Sequence, residues 1–301
     1  MAERTRGETK HLLIGGSGAY ALPDHTFGKL LEKGSVRTPF GESGVFSLFE
    51  HEGFRFHFLS RHGEGGYDVS APFVNYRANI FGARMLGVER IIAWSGPGII
   101  NEDLVPATFL VPTDIIDFTK SRKSTFFDHS GLGFIRQNPV FCEPMGEILS
   151  DAARGSKRGV VKGGTYVCTE GPRLETPAEI KMFRMWGADV VGMTIVPEAF
   201  LARELEMCYQ PICYLTNYAE GVRDMPYREG VLFEGMLPDE LGEDVDRAKE
   251  ELPRICIAAL RELDNLERNC PCSVSMKRYR EKGLIGEDFR AWVKGESVAA
   301  E

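Results

Sequence analysis

Hydrophobic positions along the chain follow two periodicities, and the alternation between them predicts an α/β fold. Short runs rich in Val, Ile, Phe and Tyr end in Gly, Ser or Asn, as buried strands do. Between them lie segments with apolar residues at helical spacing. Alternating strands and helices predict a mixed, largely central sheet. The strand-like runs are HLLIGG, GVFSLFE, FRFHFLS, RIIAWSG, TFLVPTDIIDF, GGTYVCTEG, DVVGMTIV and PICYLTNY.

Start and stop signals predict four helices. VNYRANIFGARMLG stops at Gly87, and TPAEIKMFRMWG opens with a Thr-Pro cap and stops at Gly187. VPEAFLARELEM carries Pro and Glu in its first turn. A last, long helix is predicted over about residues 238–266. Beyond it the periodicity weakens, so residues 269–301 are predicted to be a C-terminal extension of a domain that spans residues 1–268.

Composition narrows the classes of protein. The 301 residues are 43% hydrophobic and 27% charged, which is typical of a globular protein with a sizeable core. A net charge of -8 argues against a general nucleic-acid binder. No run of apolar residues is long enough to cross a membrane, and the polar start of the chain lacks a secretory signal, so we expect a cytoplasmic protein. The seven scattered cysteines predict neither a disulfide framework nor a zinc site.

The first strand runs into a glycine-rich loop that raises the question of a ligand. Residues 16–21, GSGAYA, fit the dinucleotide fingerprint, and Arg37 could then read a 2′-phosphate in an NADP-dependent oxidoreductase. However, LPDHTFGKL is a poor helix, and the fingerprint needs a helix that begins in the loop. Two other interpretations stay open: a tight turn that needs glycine, and a small anion site built from backbone N–H groups and the Ser17 hydroxyl.

Polar residues at the ends of three other strands favour the anion site. Arg61 and His62 end one run and offer donors suited to phosphate, although a solvated surface pair is the alternative. Ser95 ends a second run, and Met193 and Thr194 end a third. Because residues just past the strand ends converge on one crevice in an α/β sheet, these side chains predict a phosphate cradle with an apolar Met beside it.

The motifs IGGSG, RHG, NYRANI, CTEGPRLETPAE, WGADVVGMTIVPE and LTNYAEG occur in the order found in the trimeric purine nucleoside phosphorylase and methylthioadenosine phosphorylase family. The chain resembles that family over about residues 12–266. The resemblance implies a single α/β domain with a distorted mixed sheet flanked by helices, assembled as a homotrimer. It implies phosphorolysis of a purine nucleoside to the free base and a pentose 1-phosphate, with inorganic phosphate as co-substrate. No cofactor, metal, nucleic-acid partner or membrane partner is implied.

Carried over position by position, the resemblance assigns roles around one nucleoside and one phosphate. Asn217 and His62 would be catalytic, with Asn217 stabilising N7 of the departing base. Gly96 and Met193 would contact the nucleoside, Met193 beneath the ribose. The phosphate site would consist of Ser17, Arg61, His62, Ser95 and Thr194.

Two positions predict which base is read. The adenine-preferring relatives carry Ser and Asp where this chain has Glu175 and Asn217, whereas 6-oxopurine phosphorylases carry the pair found here. A carboxylate at residue 175 can accept a hydrogen bond from N1–H of hypoxanthine or guanine, and an amide at residue 217 can donate to O6 or N7. Alternatively, Glu175 is a helix N-terminal carboxylate and Asn217 a turn residue. A methylthioadenosine phosphorylase is the second candidate.

The sequence leaves two candidates for the group at the 5′ position of the nucleoside, a hydroxyl and a methylthio group. The inosine-cleaving relatives bind the 5′-hydroxyl with a late His, but the last His here is His129, and YREGVLFEGMLPDE is apolar instead. An apolar pocket would suit a methylthio group, so inosine, guanosine and 5′-methylthioinosine are the candidates. Ser95 and Gly96 stand where the family usually has Thr or Asn followed by Ala, and Pro97 is unusual. A non-catalytic purine-binding homologue is therefore a further alternative.

The CPC motif is the last feature. Cys270 and Cys272 resemble a C-x-C element of archaeal members of the family, in which it forms disulfides. The alternative is a pair of reduced thiols in a surface tail.

Overall fold

Fifteen strands and six helices, joined by short 3₁₀ turns, make up the described structure, a computed structural model that covers residues 9–19 and 22–293. The strands are β1 (His11–Gly15), β2 (Lys29–Gly34), β3 (Arg37–Thr38), β4 (Gly41–Glu42), β5 (Phe46–His51), β6 (Phe54–Ser60), β7 (Arg90–Ser95), β8 (Gly98–Ile99), β9 (Phe109–Val111), β10 (Asp114–Phe118), β11 (Val160–Lys162), β12 (Thr165–Thr169), β13 (Val190–Gly192), β14 (Cys208–Tyr214) and β15 (Asn217–Tyr218). The helices are α1 (Tyr76–Met85), α2 (Glu143–Ala153), α3 (Pro177–Met185), α4 (Glu198–Glu204), α5 (Gly242–Asp264) and α6 (Lys277–Glu281).

Two mixed sheets carry the fold. The larger has eight strands in the order β11-β9-β14-β7-β1-β6-β5-β2, and the smaller has five in the order β10-β12-β13-β8-β15. Strands β6, β1, β7 and β14 run parallel in the larger sheet, and β5 pairs antiparallel with β6. A mixed α/β fold with central sheets and flanking helices confirms the predicted fold class.

The chain crosses from one sheet to the other at two neighbouring places. Strand β7 continues through residues 96–97 into β8, and β14 continues through residues 215–216 into β15. The backbone N–H of Thr216 donates to the carbonyl oxygen of Pro97 at 3.3 Å, and the Thr216 hydroxyl oxygen lies 3.2 Å from the same atom. The two crossings therefore lie side by side and bring the strand ends of both sheets together.

The core lies on both faces of the larger sheet. Every residue of β1 is buried because β6 and β7 flank it, and such a strand reads as a continuous apolar run. Successive side chains point to opposite faces, so Leu12 and Ile14 enter one hydrophobic cluster and Leu13 enters the other. Helices α1 and α4 pack together in the first cluster, and α2 and α5 pack together in the second.

Two predicted strands are shorter than their apolar runs. TFLVPTDIIDF divides at residues 112–113 into β9 and β10, which belong to different sheets. Proline has no N–H to donate to a ladder, so Pro112 favours the break there. DVVGMTIV ends as a strand at Gly192, which frees Met193 and Thr194 from the sheet.

The described part of the C-terminal extension, residues 269–293, packs on the domain. Met276, Tyr279, Phe289 and Trp292 are buried in the first hydrophobic cluster, where the Phe289 ring lies 5.4 Å from that of Phe81. The last eight residues of the predicted extension, 294–301, lie outside the described residues. Within the described ranges, no helix is long and apolar enough to cross a bilayer.

Candidate active site

A cleft of about 690 Å³ opens where the strand ends of the two sheets meet. Its wall contains residues that follow β1, β6, β7 and β13, which is where ligands bind in α/β sheets. Eight of the nine residues assigned from the sequence lie on this wall, namely Ser17, His62, Ser95, Gly96, Glu175, Met193, Thr194 and Asn217.

Arg61 is the ninth, and it lies behind the wall in a buried ion pair. Its Nε and Nη2 donate to the two carboxylate oxygens of Glu198 at 2.5 and 2.9 Å, and its Nη1 donates to the Trp94 carbonyl at 3.2 Å. Burial by itself would lower the pKa of the guanidinium, but Glu198 raises it, so Arg61 stays charged. The solvated surface pair considered for Arg61 and His62 is wrong, because both side chains are buried.

Arg61 lies directly beneath the glycine loop. A Cβ atom at Gly16 would lie 2.8 Å from Nη1 of Arg61 and 2.5 Å from the Trp94 carbonyl oxygen, so this position requires glycine. The tight turn of the glycine loop therefore packs directly against the buried guanidinium of Arg61. From the sequence alone, Glu198 is predicted only to be a carboxylate in the first turn of a helix. Its pairing with Arg61, 137 residues away, has no local signal.

His62 is held as a neutral ring with a defined tautomer. Its Nδ1 lies 2.9 Å from the Val69 carbonyl oxygen, which can only accept, so Nδ1 carries the hydrogen and Nε2 is an acceptor. Burial, together with the smaller effect of the Arg61 charge, lowers the pKa of His62 to about 4. The Tyr67 ring packs 4.8 Å from the His62 ring, and its hydroxyl hydrogen-bonds the Ser17 hydroxyl. No motif in the sequence indicates Tyr67.

Ser95 and Thr194 belong to a buried cluster of hydroxyl groups. Ser95 Oγ lies 3.1 Å from the Tyr166 hydroxyl and 3.3 Å from Thr194 Oγ1. Burial raises the pKa of Tyr166, so its hydroxyl is neutral and can donate. The Tyr166 hydroxyl has room only because residue 192 is glycine, where a Cβ would lie 1.9 Å from it. Tyr166 was also missed, since it reads from the sequence as a strand residue.

Glu175 lies just before helix α3 and is not part of its cap. Thr176 and Glu179 form the capping box of that helix, so the first-turn role considered for Glu175 is taken by Glu179. The Thr169 hydroxyl donates to Glu175 Oε1 at 2.5 Å. Burial raises the pKa of Glu175, which marks a carboxylate that gains from a further hydrogen-bond donor in the cleft.

The Asn217 amide has a defined orientation. Its Nδ2 donates to the Tyr218 carbonyl at 2.8 Å, and its Oδ1 accepts from the Thr216 hydroxyl at 2.6 Å. A carbonyl oxygen cannot donate, so the nitrogen must face Tyr218. One amide N–H remains to donate to a ligand.

Close packing at the point where the chain crosses between the sheets explains why residue 96 is glycine. A Cβ atom there would lie 2.9 Å from Thr216 Cγ2 and 3.1 Å from the Tyr214 ring. The Tyr214 hydroxyl donates to the Ser17 carbonyl at 3.0 Å, which joins the crossing to the glycine loop. The alanine usual in the family does not fit beside Tyr214 without a shift.

Arg122 positions two walls of the cleft, and no motif indicated it. Its Nη1 donates to the carbonyls of Met193 and Val196, both at 2.6 Å, and its Nη2 to those of Thr169 and Glu170, at 3.1 and 2.6 Å. These contacts fix the backbone beyond β12 and β13, from which Glu175 and Met193 reach the cleft.

The remaining wall comes from the late apolar segment. Phe233 and Met236, the first and last residues of a short 3₁₀ helix, both line the cleft. The glycine loop itself is not followed by the helix that a dinucleotide site needs: a 3₁₀ turn at Asp24–Phe27 comes next in the described residues. Tyr20 and Ala21 of the predicted fingerprint lie outside the described residues, and Arg37 lies in β3, away from this wall.

The cysteines differ from the sequence expectation. All seven are free thiols in the structure, and Cys270 and Cys272 are buried instead of lying in a surface tail. Cys142, Cys208, Cys270 and Cys272 come together with all four sulfur atoms within 4.8 Å of one another. The spacing of the cysteines predicts no zinc site, but the fold brings together four sulfur atoms that are far apart in the sequence.

Comparisons with known proteins show which family the chain belongs to. The profile of the Phosphorylase superfamily matches residues 10–261. A probable S-methyl-5′-thioinosine phosphorylase of Methanothermobacter thermautotrophicus is 42% identical over 265 residues, 88% of each chain. A 6-oxopurine nucleoside phosphorylase of Pyrococcus furiosus is 38% identical over 276 residues, 88% of this chain and 97% of the relative. A crystal structure of a methylthioadenosine phosphorylase from an antarctic soil metagenomic library superposes with a TM-score of 0.79 at 28% identity, covering 91% of this chain and 92% of that one.

Proposed function

This chain belongs to the phosphorylase superfamily, and from that premise we propose that it cleaves 6-oxopurine nucleosides with phosphate, with S-methyl-5′-thioinosine as the preferred substrate. The products are hypoxanthine, or another 6-oxopurine, and the corresponding ribose 1-phosphate. The observation that carries the proposal is that one cleft joins the hydroxyl groups of Ser17, Ser95 and Thr194 to the pair Glu175 and Asn217. Relatives named for both reactions support it.

Phosphate binds through neutral donors and acceptors in front of a buried charge. The hydroxyls of Ser17, Ser95 and Thr194 donate to phosphate oxygens, and the neutral His62 accepts from the protonated oxygen through Nε2. Arg61 contributes positive potential from behind the glycine loop, since its guanidinium is already occupied by Glu198. Holding phosphate and nucleoside together removes much of the entropic barrier to reaction.

The base is read by one acceptor and one donor. Glu175 accepts from N1–H of the purine, and the free N–H of Asn217 donates to O6 or N7. As the glycosidic bond breaks, negative charge grows on the purine, and a donor at N7 then binds more tightly than it does in the ground state. That difference is what raises the rate. Phosphate attacks C1′ on the opposite face while the base leaves.

The side of the cleft formed by Phe233 and Met236 favours a 5′-methylthio group over a 5′-hydroxyl. An apolar wall gains from burying a thioether methyl but offers no partner to a hydroxyl. Inosine and guanosine should therefore be cleaved with lower kcat/KM than 5′-methylthioinosine.

Two alternatives are kept because specific observations favour them. A methylthioadenosine phosphorylase agrees with the names of the superposed structures, although its adenine would face Glu175 with an unprotonated N1. A non-catalytic purine-binding protein is suggested by the departures at Ser95, Gly96 and Pro97. Packing against Tyr214 accounts for the glycine at residue 96.

A phosphorolysis panel tests the proposal. Inosine, guanosine, adenosine and their 5′-methylthio forms are incubated with and without phosphate, and the free base and the ribose 1-phosphate are measured. We expect phosphate-dependent cleavage of the 6-oxo nucleosides, fastest for 5′-methylthioinosine. Preference for the 6-amino nucleosides would favour the first alternative, and binding of hypoxanthine without turnover of any substrate would favour the second.

We also propose that the chain assembles as a homotrimer and works in the cytoplasm. Both rest on the family resemblance. Light scattering on the purified protein should give about three times the 33.6 kDa of one chain. A monomer at micromolar concentration would contradict the trimer.

A further inference from the structure

Four cysteines from distant parts of the chain meet in the second hydrophobic cluster, away from the cleft. Cys142 directly precedes α2, Cys208 begins β14, and Cys270 and Cys272 lie in the C-terminal extension. All four are buried, and their sulfur atoms lie within 4.8 Å of one another. The Cys142 N–H donates to the Tyr209 carbonyl at 3.0 Å, which holds the start of α2 beside the start of β14.

We propose that Cys142, Cys208, Cys270 and Cys272 bind one structural zinc ion. Tetrahedral thiolates at a Zn–S distance of about 2.3 Å lie roughly 3.8 Å apart. The observed sulfur separations reach no further than 4.8 Å, and the Cys208–Cys270 pair is at 3.3 Å, so they bracket that value. Four sulfur ligands favour zinc or iron among the common ions. Sulfur atoms this close leave room for a single ion and exclude a larger iron–sulfur cluster.

The site is closed, which fits a structural role. Four protein ligands fill the tetrahedral shell and leave no position for substrate or water. None of the four cysteines lines the cleft. The ion would instead fasten the C-terminal extension to two elements of the domain, at the start of β14. The proposal is thus independent of the proposed enzymatic reaction.

Nearby cations balance the charge of such a site. Binding of Zn²⁺ by four thiols releases four protons and leaves a net charge of -2 on the complex. Arg203, which is buried, donates from Nη1 to Cys272 Sγ at 3.4 Å. Arg268 lies beside Cys208. Two guanidinium groups next to the sulfurs provide the compensation that a buried dianion requires.

Metal analysis of the whole protein tests the proposal. The protein is produced in zinc-supplemented medium, purified without chelator, and analysed by inductively coupled plasma mass spectrometry. We expect about one zinc ion per chain. Cys208→Ala and Cys272→Ala should lose it. Cys256→Ala is the matched control, because Cys256 is equally buried but lies in α5 outside the cluster, and it should retain the metal.

A second measurement keeps the test decisive if a cluster variant fails to fold. Cobalt added to chelator-stripped wild type should give the visible ligand-field bands of a tetrathiolate site. Protein denatured in chelator should contain all seven thiols. A mass corresponding to two disulfides among the four cysteines would overturn the proposal. So would seven free thiols with no zinc or cobalt bound, or one iron per chain in place of zinc.

Discussion

At the scale of single residues, Asn217 and Glu175 are the proposed readers of the purine base. Thr216 and Tyr218 fix the direction of the Asn217 amide, so that it presents a donor. Thr169 satisfies one oxygen of Glu175. Adenine would leave both residues badly matched, because it offers a lone pair at N1 and an amino group at C6.

Asn217→Asp should lower kcat/KM for 5′-methylthioinosine by roughly 5- to 150-fold, the effect of one unpaired buried polar group of about 1–3 kcal/mol. The new carboxylate would also face the Tyr218 carbonyl, which repels it. Cleavage of methylthioadenosine should recover only in part, and adding Glu175→Ser should improve it further. Steady-state kinetics on both substrates measure this, with the exposed Asn265→Asp as control. If the double variant discriminated between 5′-methylthioinosine and methylthioadenosine as the wild type does, the proposed role of Glu175 and Asn217 in base recognition would be wrong.

We propose that Arg61 attracts phosphate through its charge, and its guanidinium packs against the glycine loop above it. Arg61→Ala should raise the KM for phosphate and lower the free energy of unfolding by about 3–5 kcal/mol, because it leaves Glu198 buried without a partner. Arg77→Ala breaks another largely buried pair, with Asp128, and is the control for stability alone. Thermal shift with increasing phosphate, together with phosphate kinetics, separates the two effects. An equal phosphate response in both variants would show that Arg61 has no part in anion binding.

At the scale of elements, the short 3₁₀ helix Phe233–Met236 forms the apolar side of the cleft. Its first and last residues line the cleft, whereas Leu232 just before it is 55% exposed and does not line it. Met236→Ala, which alters the cleft, can therefore be compared with Leu232→Ala, which does not.

Met236→Ala should lower kcat/KM for 5′-methylthioinosine by about 4- to 15-fold, as expected from one or two lost methylene contacts at roughly 0.8 kcal/mol each. Cleavage of inosine should change less, because its 5′-hydroxyl gains little from an apolar wall. Leu232→Ala should leave both substrates unaffected. If Met236→Ala reduced cleavage of inosine and methylthioinosine equally, the element would not read the 5′ group.

At the scale of the whole molecule, buried histidines couple stability to pH. Burial lowers the pKa of His57 to about 4, below the value near 6.5 expected in the unfolded chain. The stability that its neutral form contributes is complete above pH 6.5 and is lost as the pH falls towards 4. His57 lies in β6 and lines a separate cavity together with Glu32 and Arg84.

His57→Gln should therefore reduce the loss of unfolding free energy between pH 7 and 4.5, by at most about 3 kcal/mol. Denaturant titrations of wild type and variant at each pH measure the difference. The comparison must be made against wild type, because burial raises the pKa of Glu204 to about 7 and this carboxyl acts in the opposite sense. Parallel curves for the two proteins would mean that His57 is protonated equally in the folded and unfolded states.

Local signals in the sequence predict four of the six described helices, α1, α3, α4 and α5, and give no prediction for α2 and α6. Helix α3 begins after Thr176 and ends before Gly187, as its cap and stop residues predict, because capping depends on neighbours within one turn. The glycine loop and the pair Glu175 and Asn217 could be identified from motifs alone. Those motifs also carried the family, which the comparisons confirm.

Tertiary structure alone decided which groups are partners. Arg61 meets Glu198 across 137 residues, and four cysteines spread from residue 142 to residue 272 converge in one place. The tautomer of His62 depends on a carbonyl that the loop brings to it. Pattern and propensity act over a few residues, whereas these pairings depend on how the two sheets cross and how the C-terminal extension packs back on the domain. The physical reason is that long-range packing selects these partners, and a contact between two distant residues leaves no periodic pattern in the chain.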